Sequence, residues 1–342
     1  MSTMTTPPDI SAGTSAGTSD ILVRTGNLKK YFYTPKGPLH AVDDVNVFIR
    51  RGETLGLVGE SGCGKSTLGR VIIRLLEATG GEVLFGGEDI VKYDKHGLRA
   101  FRKRAQMVFQ DPYSSLNPRL SVEQLISEPL RIHKVYPNER ETSARVRKLM
   151  DTVGLAQRLS TSFPHELDGG RRQRIGVARA LALNPEFIVL DEPVSALDVC
   201  IQAQILNLMQ DLKEEFRYTY LFITHDLSVV RHISNRIVVM YLGKVIEVAD
   251  HLEIFENPQH PYTQALLSAI PVPKMNVSRA GRIILEGDVP SPVNPPAGCR
   301  FYGRCPSRRD DCLEKHPELV EISPGHFLGC CHPGPIARKG AA

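Results

Sequence analysis

The stretch that decides the fold reads Gly59-Glu60-Ser61-Gly62-Cys63-Gly64-Lys65-Ser66-Thr67. It matches the pattern G-x-x-x-x-G-K-[ST], in which glycines let backbone N–H groups surround phosphates at the start of a helix. The apolar run Thr54–Val58 precedes it, and residues 66–76 have the apolar spacing of a helix. Strand, loop and helix predict an α/β protein that binds a nucleotide, with Lys65 on the β- and γ-phosphates and Ser66 on Mg²⁺. A chance match on a glycine-rich turn is the alternative.

A second acidic site is predicted where another apolar run ends. Ile188-Val189-Leu190 is followed by Asp191 and Glu192. Asp191 can hold Mg²⁺ through water, and Glu192 can polarise an attacking water, which is most of what phosphoryl transfer requires. A strand that simply ends in solvated acids is the alternative. Behind a phosphate loop in the same chain, the two carboxylates favour ATP hydrolysis.

Composition limits the possible functions. The chain has 342 residues, a net charge of +4 and no Trp. A mild positive excess and few aromatic residues argue against a nucleic-acid partner, which needs a basic stripe or stacking platforms. No apolar run approaches the ~20 residues that span a bilayer. We therefore expect a soluble protein that reaches a membrane only through partner chains.

The character of the sequence changes along the chain. Residues 1–20 are rich in Ser, Thr, Gly and Ala, and we expect a disordered leader rather than a signal peptide. An ATPase domain is predicted over residues 21–258, with a helical subdomain at about 111–183 in which residues 122–132, 143–153 and 171–183 are helical. Residues 259–342 are rich in Pro and Gly, carry most of the cysteines, and are predicted to form a small appended module.

Five further segments lie in the order and spacing of ABC transporter ATPases, which the chain resembles over residues 21–258. The resemblance implies these assignments: Gln110 for the Q-loop, Leu167-Asp168-Gly169-Gly170-Arg171 for the signature, Asp198 for the D-loop, His225 for the switch histidine, and Phe32 or its neighbour Tyr31 for stacking on adenine. It also implies a P-loop NTPase fold, with a RecA-like core and with antiparallel β and helical subdomains.

The same resemblance implies how the residues share the chemistry. Glu192 is the base, and Lys65 and His225 contact the γ-phosphate. Ser66, Asp191 and Gln110 surround the Mg²⁺ ion. Two such subunits pack head to tail, so that the signature of one meets the ATP on the phosphate loop of the other.

The signature segment departs from the family pattern. Asp168 replaces the usual Ser and Arg171 replaces the usual Gln. This leaves open a regulatory subunit that binds ATP and hydrolyses it weakly. A soluble ABC ATPase without a membrane partner is a second alternative, although such proteins carry coiled-coil insertions or tandem cassettes that are not visible here.

The C-terminal part narrows the resemblance. Residues 257–263 (NPQHPYT) and the following TQALLSAI resemble the C-terminal region of dipeptide and oligopeptide importer ATPases. QDPYSSLNPR and DEPVSALDVCIQAQIL are more similar to the F-type subunit than to its D-type partner. The implied partners are a D-type ATPase, two transmembrane permeases and, indirectly, an extracytoplasmic peptide-binding protein, at the cytoplasmic face of the inner membrane. Dipeptides, oligopeptides, nickel chelates and sugars all remain possible cargoes.

Five of the seven cysteines lie near the C-terminus: Cys299, Cys305, Cys312, Cys330 and Cys331. Their spacing is not the paired C-x-x-C of zinc ribbons. Some similar importer ATPases carry a [4Fe–4S] cluster here, which implies Cys299, Cys305, Cys312 and either Cys330 or Cys331 as ligands. A stabilising zinc ion and free thiols remain the alternatives.

Overall fold

The computed structural model describes residues 20–270, 282–314 and 317–336, so the predicted leader lies outside the described residues except for Asp20. The strands are β1 Ile21–Thr34, β2 Gly37–Val45, β3 Phe48–Arg50, β4 Thr54–Val58, β5 Gly80–Phe85, β6 Glu88–Asp89, β7 Ala105–Val108, β8 Phe187–Asp191, β9 Thr219–Thr224, β10 Arg236–Tyr241, β11 Lys244–Asp250, β12 Val320–Ser323 and β13 His326–Leu328. The helices are α1 Lys65–Ile72, α2 Lys95–Arg104, α3 Pro112–Ser115, α4 Val122–Ile132, α5 Glu139–Thr152, α6 Gly169–Leu181, α7 Val199–Phe216, α8 Leu227–Ile233, α9 His251–Glu256 and α10 Pro261–Ser268.

The chain divides into two compact units. The first contains the described residues up to Arg50, Thr54–Val91 and those from Thr224 onward. The second contains Arg51–Glu53 and Lys92–Ile223. The phosphate loop and the C-terminal region therefore belong to the same unit, whereas Gln110, Asp191 and Glu192 belong to the other.

The first unit contains an antiparallel sheet in the order β2-β1-β5-β6, with β3 also paired to β1. It also contains a strand series in the order β12-β13-β11-β10-β4, in which only β10 and β4 are parallel. All five residues of β4 are buried. A continuous apolar run such as TLGLV is typical of a strand covered on both faces, and it places the phosphate loop at the end of a buried strand.

Helix α1 is shorter than the apolar spacing predicts, because it ends at Ile72 rather than at residue 76. Arg74 adopts a left-handed conformation with φ +51°. Its guanidinium donates a hydrogen bond to the backbone oxygen of Ile90 at 2.8 Å. This turn stops the helix although the apolar pattern continues.

The second unit combines the parallel strands β7, β8 and β9 with helices α2 to α7. Helix α4 spans the predicted residues 122–132, because Ser121 and Gln124 form a reciprocal capping box at its start. Helix α5 begins at Glu139, four residues before the apolar pattern, because Asn138 caps a polar first turn. Over the described residues, no helix has the length and apolar character needed to cross a membrane.

Candidate active site

The loop from Gly59 to Gly64 takes a shape that only glycine allows at two positions. Gly59 has φ +153° and Gly64 has φ +105°. A Cβ atom on Gly59 would lie 2.2 Å from the Met240 backbone oxygen, and one on Gly64 would lie 2.0 Å from the Ala41 backbone oxygen. Both contacts are far inside van der Waals distance. The loop is thus pressed between β2 and the end of β10, and it opens into the N-terminus of α1.

Lys65 lies inside this loop and is almost fully buried, with 5% of its surface exposed. Its ammonium group donates hydrogen bonds to the backbone oxygens of Gly59 at 2.8 Å and Glu60 at 2.9 Å. A buried cation next to the unpaired backbone N–H groups that a helix N-terminus offers suits an anion such as a phosphate. The donor set fits the β- and γ-phosphates that the sequence predicts.

Two residues of the C-terminal region contact Glu60. The Glu60 N–H donates to the Tyr262 hydroxyl at 2.8 Å. The Arg304 guanidinium donates to both carboxylate oxygens of Glu60, at 2.6 and 3.0 Å. No sequence motif predicts these contacts, because Arg304 lies in no motif and Tyr262 is only one residue of the segment NPQHPYT.

The two carboxylates predicted at the end of a strand are placed differently from each other. Asp191 is fully buried as the last residue of β8. Glu192 has φ +46°, an unusual conformation for a non-glycine residue, and its N–H donates to the Ile223 backbone oxygen at 2.9 Å. The Gln110 amide donates to a Glu192 carboxylate oxygen at 2.8 Å. The second unit therefore brings together Gln110 and Glu192, which are far apart in the sequence.

The remaining predicted residues lie at the ends of elements. His225 is exposed between β9 and α8, and Asp198 is exposed just before α7. The Phe32 side chain on β1 is exposed. Tyr31, the alternative aromatic residue, stacks its ring on His40 with centroids 4.0 Å apart and donates its hydroxyl to Asp43. Of the two rings, that of Phe32 is the more exposed, and the Lys30 ammonium lies over it at 5.1 Å from the ring centre.

Asp168 caps helix α6 as its residue type predicts. Its side chain accepts a hydrogen bond from the Arg171 N–H at 2.8 Å, and the Arg171 Nε lies 3.4 Å from the other carboxylate oxygen. Gly169 and Gly170 open the helix, and a Cβ atom on Gly170 would lie 2.6 Å from Ile201 Cγ2. The altered signature thus folds into a regular helix start despite the acidic residue.

The C-terminal cysteines approach one another. The Cys299 N–H donates to the Cys312 backbone oxygen at 2.8 Å. Burial raises the pKa of Cys330 to about 12, and the nearby thiols Cys299, Cys305 and Cys331 raise it as well. In addition, one ligand atom each from Asp311, Cys312 and His332 lie within 4.8 Å of one another. The described residues thus bring one carboxylate, one thiol and one imidazole close enough together to hold a metal ion.

A left-handed glycine loop that buries a lysine at a helix N-terminus defines a P-loop nucleotide-binding protein, and the strand-end carboxylates mark it as one that hydrolyses its nucleotide. Residues 42–195 match the family described as ABC transporter. Residues 246–312 match the family described as oligopeptide/dipeptide transporter, C-terminal region.

Relatives extend the match over nearly the whole chain. The chain is 51% identical over 325 residues to the oligopeptide transport ATP-binding protein AppF of Bacillus subtilis (strain 168), covering 92% of this chain and 98% of that protein. It is 51% identical over 310 residues to the oligopeptide transport ATP-binding protein OppF of the same organism, covering 90% of this chain and 96% of that protein. A solved dimeric structure of the ATP-binding cassette MJ0796, in a post-hydrolysis state with ADP and Pi, matches with a TM-score of 0.61 and 30% identity, covering 67% of this chain and 99% of that one.

The chain belongs to the ABC transporter ATP-binding proteins, in the oligopeptide/dipeptide branch of that family. The predicted fold class, the ATPase class and the similarity to F-type subunits are confirmed. ATP and Mg²⁺ are the ligands of this class.

Proposed function

We propose that this chain is a motor subunit of an importer for dipeptides or oligopeptides, in which ATP hydrolysis drives transport through membrane permeases. The observation that carries the proposal is the fusion, in one chain, of the ATPase cassette to the C-terminal region of peptide transporters. The relatives that share both parts are named as oligopeptide transport proteins.

In the proposed reaction, the phosphate loop holds ATP through its backbone N–H groups and the Lys65 ammonium, and Phe32 stacks on the adenine. A water molecule attacks the γ-phosphorus, its proton passes to Glu192, and ADP leaves with the β–γ bridging oxygen. The Gln110 amide fixes the orientation of the Glu192 carboxylate by the hydrogen bond at 2.8 Å. His225 stabilises the γ-phosphate.

Ser66, Asp191 and Gln110 would hold the Mg²⁺ ion, which neutralises charge on the phosphates when bound. The donors are a hydroxyl, a carboxylate and an amide oxygen, which are the oxygen ligands that Mg²⁺ prefers. Asp168, Gly169, Gly170 and Arg171 would face the ATP of a second, D-type subunit, with Asp198 at the same interface. The pair would lie at the cytoplasmic face of the inner membrane beneath two permease subunits.

The catalytic assignment is tested by two substitutions in the assembled transporter. Glu192→Gln keeps the size of the side chain and a carbonyl oxygen for Gln110, but it removes the base, so turnover should fall about 100-fold or more while ATP still binds. Lys65→Ala should instead weaken ATP binding. Glu215→Gln, at an exposed position on α7, is the matched control. Turnover by Glu192→Gln at the parental rate would refute the role of this carboxylate.

The transport assignment needs its own experiment. The chain, tagged and purified from its native membrane, should bring down two polytopic membrane proteins and a second ATPase. The reconstituted complex should take up peptides with ATP, and peptide with its binding protein should stimulate turnover. Stimulation by nickel chelates or sugars, and not by peptides, would contradict the cargo assigned here.

We also propose that the C-terminal cysteines bind a metal. Two ligand sets compete: Cys299, Cys305, Cys312 and Cys330 or Cys331 for a [4Fe–4S] cluster, and Asp311, Cys312 and His332 for zinc. Anaerobic purification followed by metal and sulfide analysis separates them. Iron and sulfide in equal amounts, lost in Cys305→Ser, support the cluster. Zinc that is lost in His332→Ala and kept in Cys305→Ser supports the second set, and protein without metal refutes both.

A further inference from the structure

Glu60, the second residue of the phosphate loop, is held through its side chain and its backbone by residues that follow the ATPase cassette. Arg304 contacts the carboxylate through two N–H groups, at 2.6 and 3.0 Å, in the paired geometry that makes arginine–carboxylate contacts strong and directional. The Arg304 side chain is 9% exposed, so solvent screens this pair less than an ordinary surface salt bridge.

The backbone of Glu60 is fixed by the Tyr262 hydroxyl, which accepts its N–H at 2.8 Å. Tyr262 is fully buried, and its ring packs at centroid distances of 4.8 Å from Tyr241 and 5.5 Å from Phe301. The Glu60 backbone oxygen in turn accepts a hydrogen bond from the Lys65 ammonium at 2.9 Å. Tyr262 of the C-terminal region is therefore connected, through Glu60, to Lys65, the cation proposed to bind the phosphates.

We propose that Arg304 and Tyr262 are positioning residues for ATP binding, through which the C-terminal region sets the nucleotide affinity of the phosphate loop. The proposal rests on the proposed function, namely that this loop binds ATP. This role requires neither residue to touch the nucleotide, because both contact Glu60. They fix Glu60, so that the loop offers its N–H groups and Lys65 in the arrangement that phosphates require, and less ordering is left for ATP to accomplish.

A purely electrostatic effect of Glu60 and Arg304 on the phosphates predicts other changes in ATP affinity than a positioning role does, and the two can therefore be distinguished by experiment. If Glu60 and Arg304 acted only as charges near the phosphates, removing the carboxylate would tighten ATP binding and removing the guanidinium would weaken it. If the pair acts by positioning, either loss frees the loop, and both changes weaken binding. The sign of the effect of Glu60→Gln therefore distinguishes the two.

The experiment measures the dissociation constant of ATP, and KM and kcat in the assembled transporter, for Glu60→Gln, Arg304→Gln and the double variant. We expect each single change to weaken ATP binding about fivefold or more, within the usual range for coupled sites. The double variant should be no worse than either single one, because the same contact is lost. KM should rise while kcat stays within about twofold, since the loop is weakened in the ground state and in the transition state alike.

Controls separate positioning from damage to the fold. Arg308→Gln removes an exposed guanidinium from the same segment and should leave ATP binding unchanged. Arg304→Lys keeps the charge without the paired contact and should recover only part of the affinity. Tighter binding in Glu60→Gln, or unchanged binding in Arg304→Gln together with a lower melting temperature, would overturn the proposal. ATP binding by the parental chain and its loss in Lys65→Ala test the proposed function separately.

Discussion

Asp168→Ser tests whether the acidic residue in the signature weakens the ATP site that this chain shares with its partner. In the family arrangement, the signature Ser, whose place Asp168 takes in this chain, meets the γ-phosphate of the partner's ATP together with the adjacent glycine N–H groups. A carboxylate there faces a group of the same sign. Serine removes the charge and still caps α6, because Ser and Asp are comparable at this position.

The structure sets the size of the effect. Two unit charges ~4 Å apart repel by about 1 kcal/mol in water and about 4 kcal/mol at an effective dielectric near 20. The Asp168 side chain is 59% exposed, and Arg171 lies 3.4 Å from its carboxylate, so both solvent and a cation reduce the repulsion. Arg172 does not contribute, because its guanidinium stacks 3.7 Å from the centre of the Tyr113 ring. We expect a net penalty of about 1–2 kcal/mol, or about five- to thirtyfold in rate.

The assay isolates that site in the assembled complex. Lys65→Ala silences the site built on this chain's own loop, so the residual turnover comes from this chain's signature and the partner's loop. Adding Asp168→Ser should raise the residual rate about five- to thirtyfold. Asp168→Asn, which also caps the helix without a charge, should do the same, and neither change should alter the melting temperature. Equal rates with and without Asp168→Ser, or equal losses from Lys65→Ala and the matching change in the partner, would refute the asymmetry.

A tightly packed glycine, a buried histidine and a buried aromatic ring give three more predictions. Gly64→Ala should abolish ATP binding, because the new Cβ would lie 2.0 Å from the Ala41 backbone oxygen. Gly87 has a similar φ of +89° but open space around it, so Gly87→Ala should bind ATP normally. Equal effects of the two substitutions would contradict the steric argument. Burial lowers the pKa of His260 to about 4, so on acidification the unfolded chain takes up a proton before the folded chain does. The free energy of unfolding should therefore fall by about 3 kcal/mol as the pH drops from about 6.5 to 4. His260→Asn can still cap α10 and should flatten this pH dependence in denaturant titrations at each pH. Phe301→Ala should lower the free energy of unfolding by about 3–5 kcal/mol in the same titrations, because Phe301 is 2% exposed and packs on Tyr241 and Tyr262. A decrease below about 1 kcal/mol would show that the segment packs differently.

The features that the sequence predicts correctly are those that a local pattern determines. The phosphate loop, helix α4 and the capping role of Asp168 all depend on residues within a few positions of one another. Where a local turn competes with the apolar pattern, the prediction missed a boundary, as at Arg74 after α1 and at Asn138 before α5. In both places a side-chain or backbone contact outweighs the periodicity.

The contacts that the sequence did not reveal join distant residues. Gln110 and Glu192 are 82 positions apart, and Glu60 and Arg304 are 244 positions apart. For the first pair, the family resemblance implied the two residues separately but not the hydrogen bond between them. The second pair had no signal in the sequence, because Arg304 belongs to no pattern that indicates its partner. The residue roles at the site stay predictions until the variants are measured.

The segment between Cys299 and Cys305 contacts more than one part of the proposed nucleotide site. Arg304 holds Glu60, while the buried Arg300 pairs with Asp43, which also accepts the Tyr31 hydroxyl beside Phe32. Burial raises the pKa of Asp43, but the hydrogen bonds from Tyr31 and His40 and the neighbouring positive charges outweigh it and lower the pKa to about 2, so the Asp43 carboxyl stays charged throughout the physiological range. Both arginines stand between Cys299 and Cys305. If a ligand on those thiols changes the affinity of the chain for ATP, linkage requires ATP to change the affinity for that ligand by the same factor.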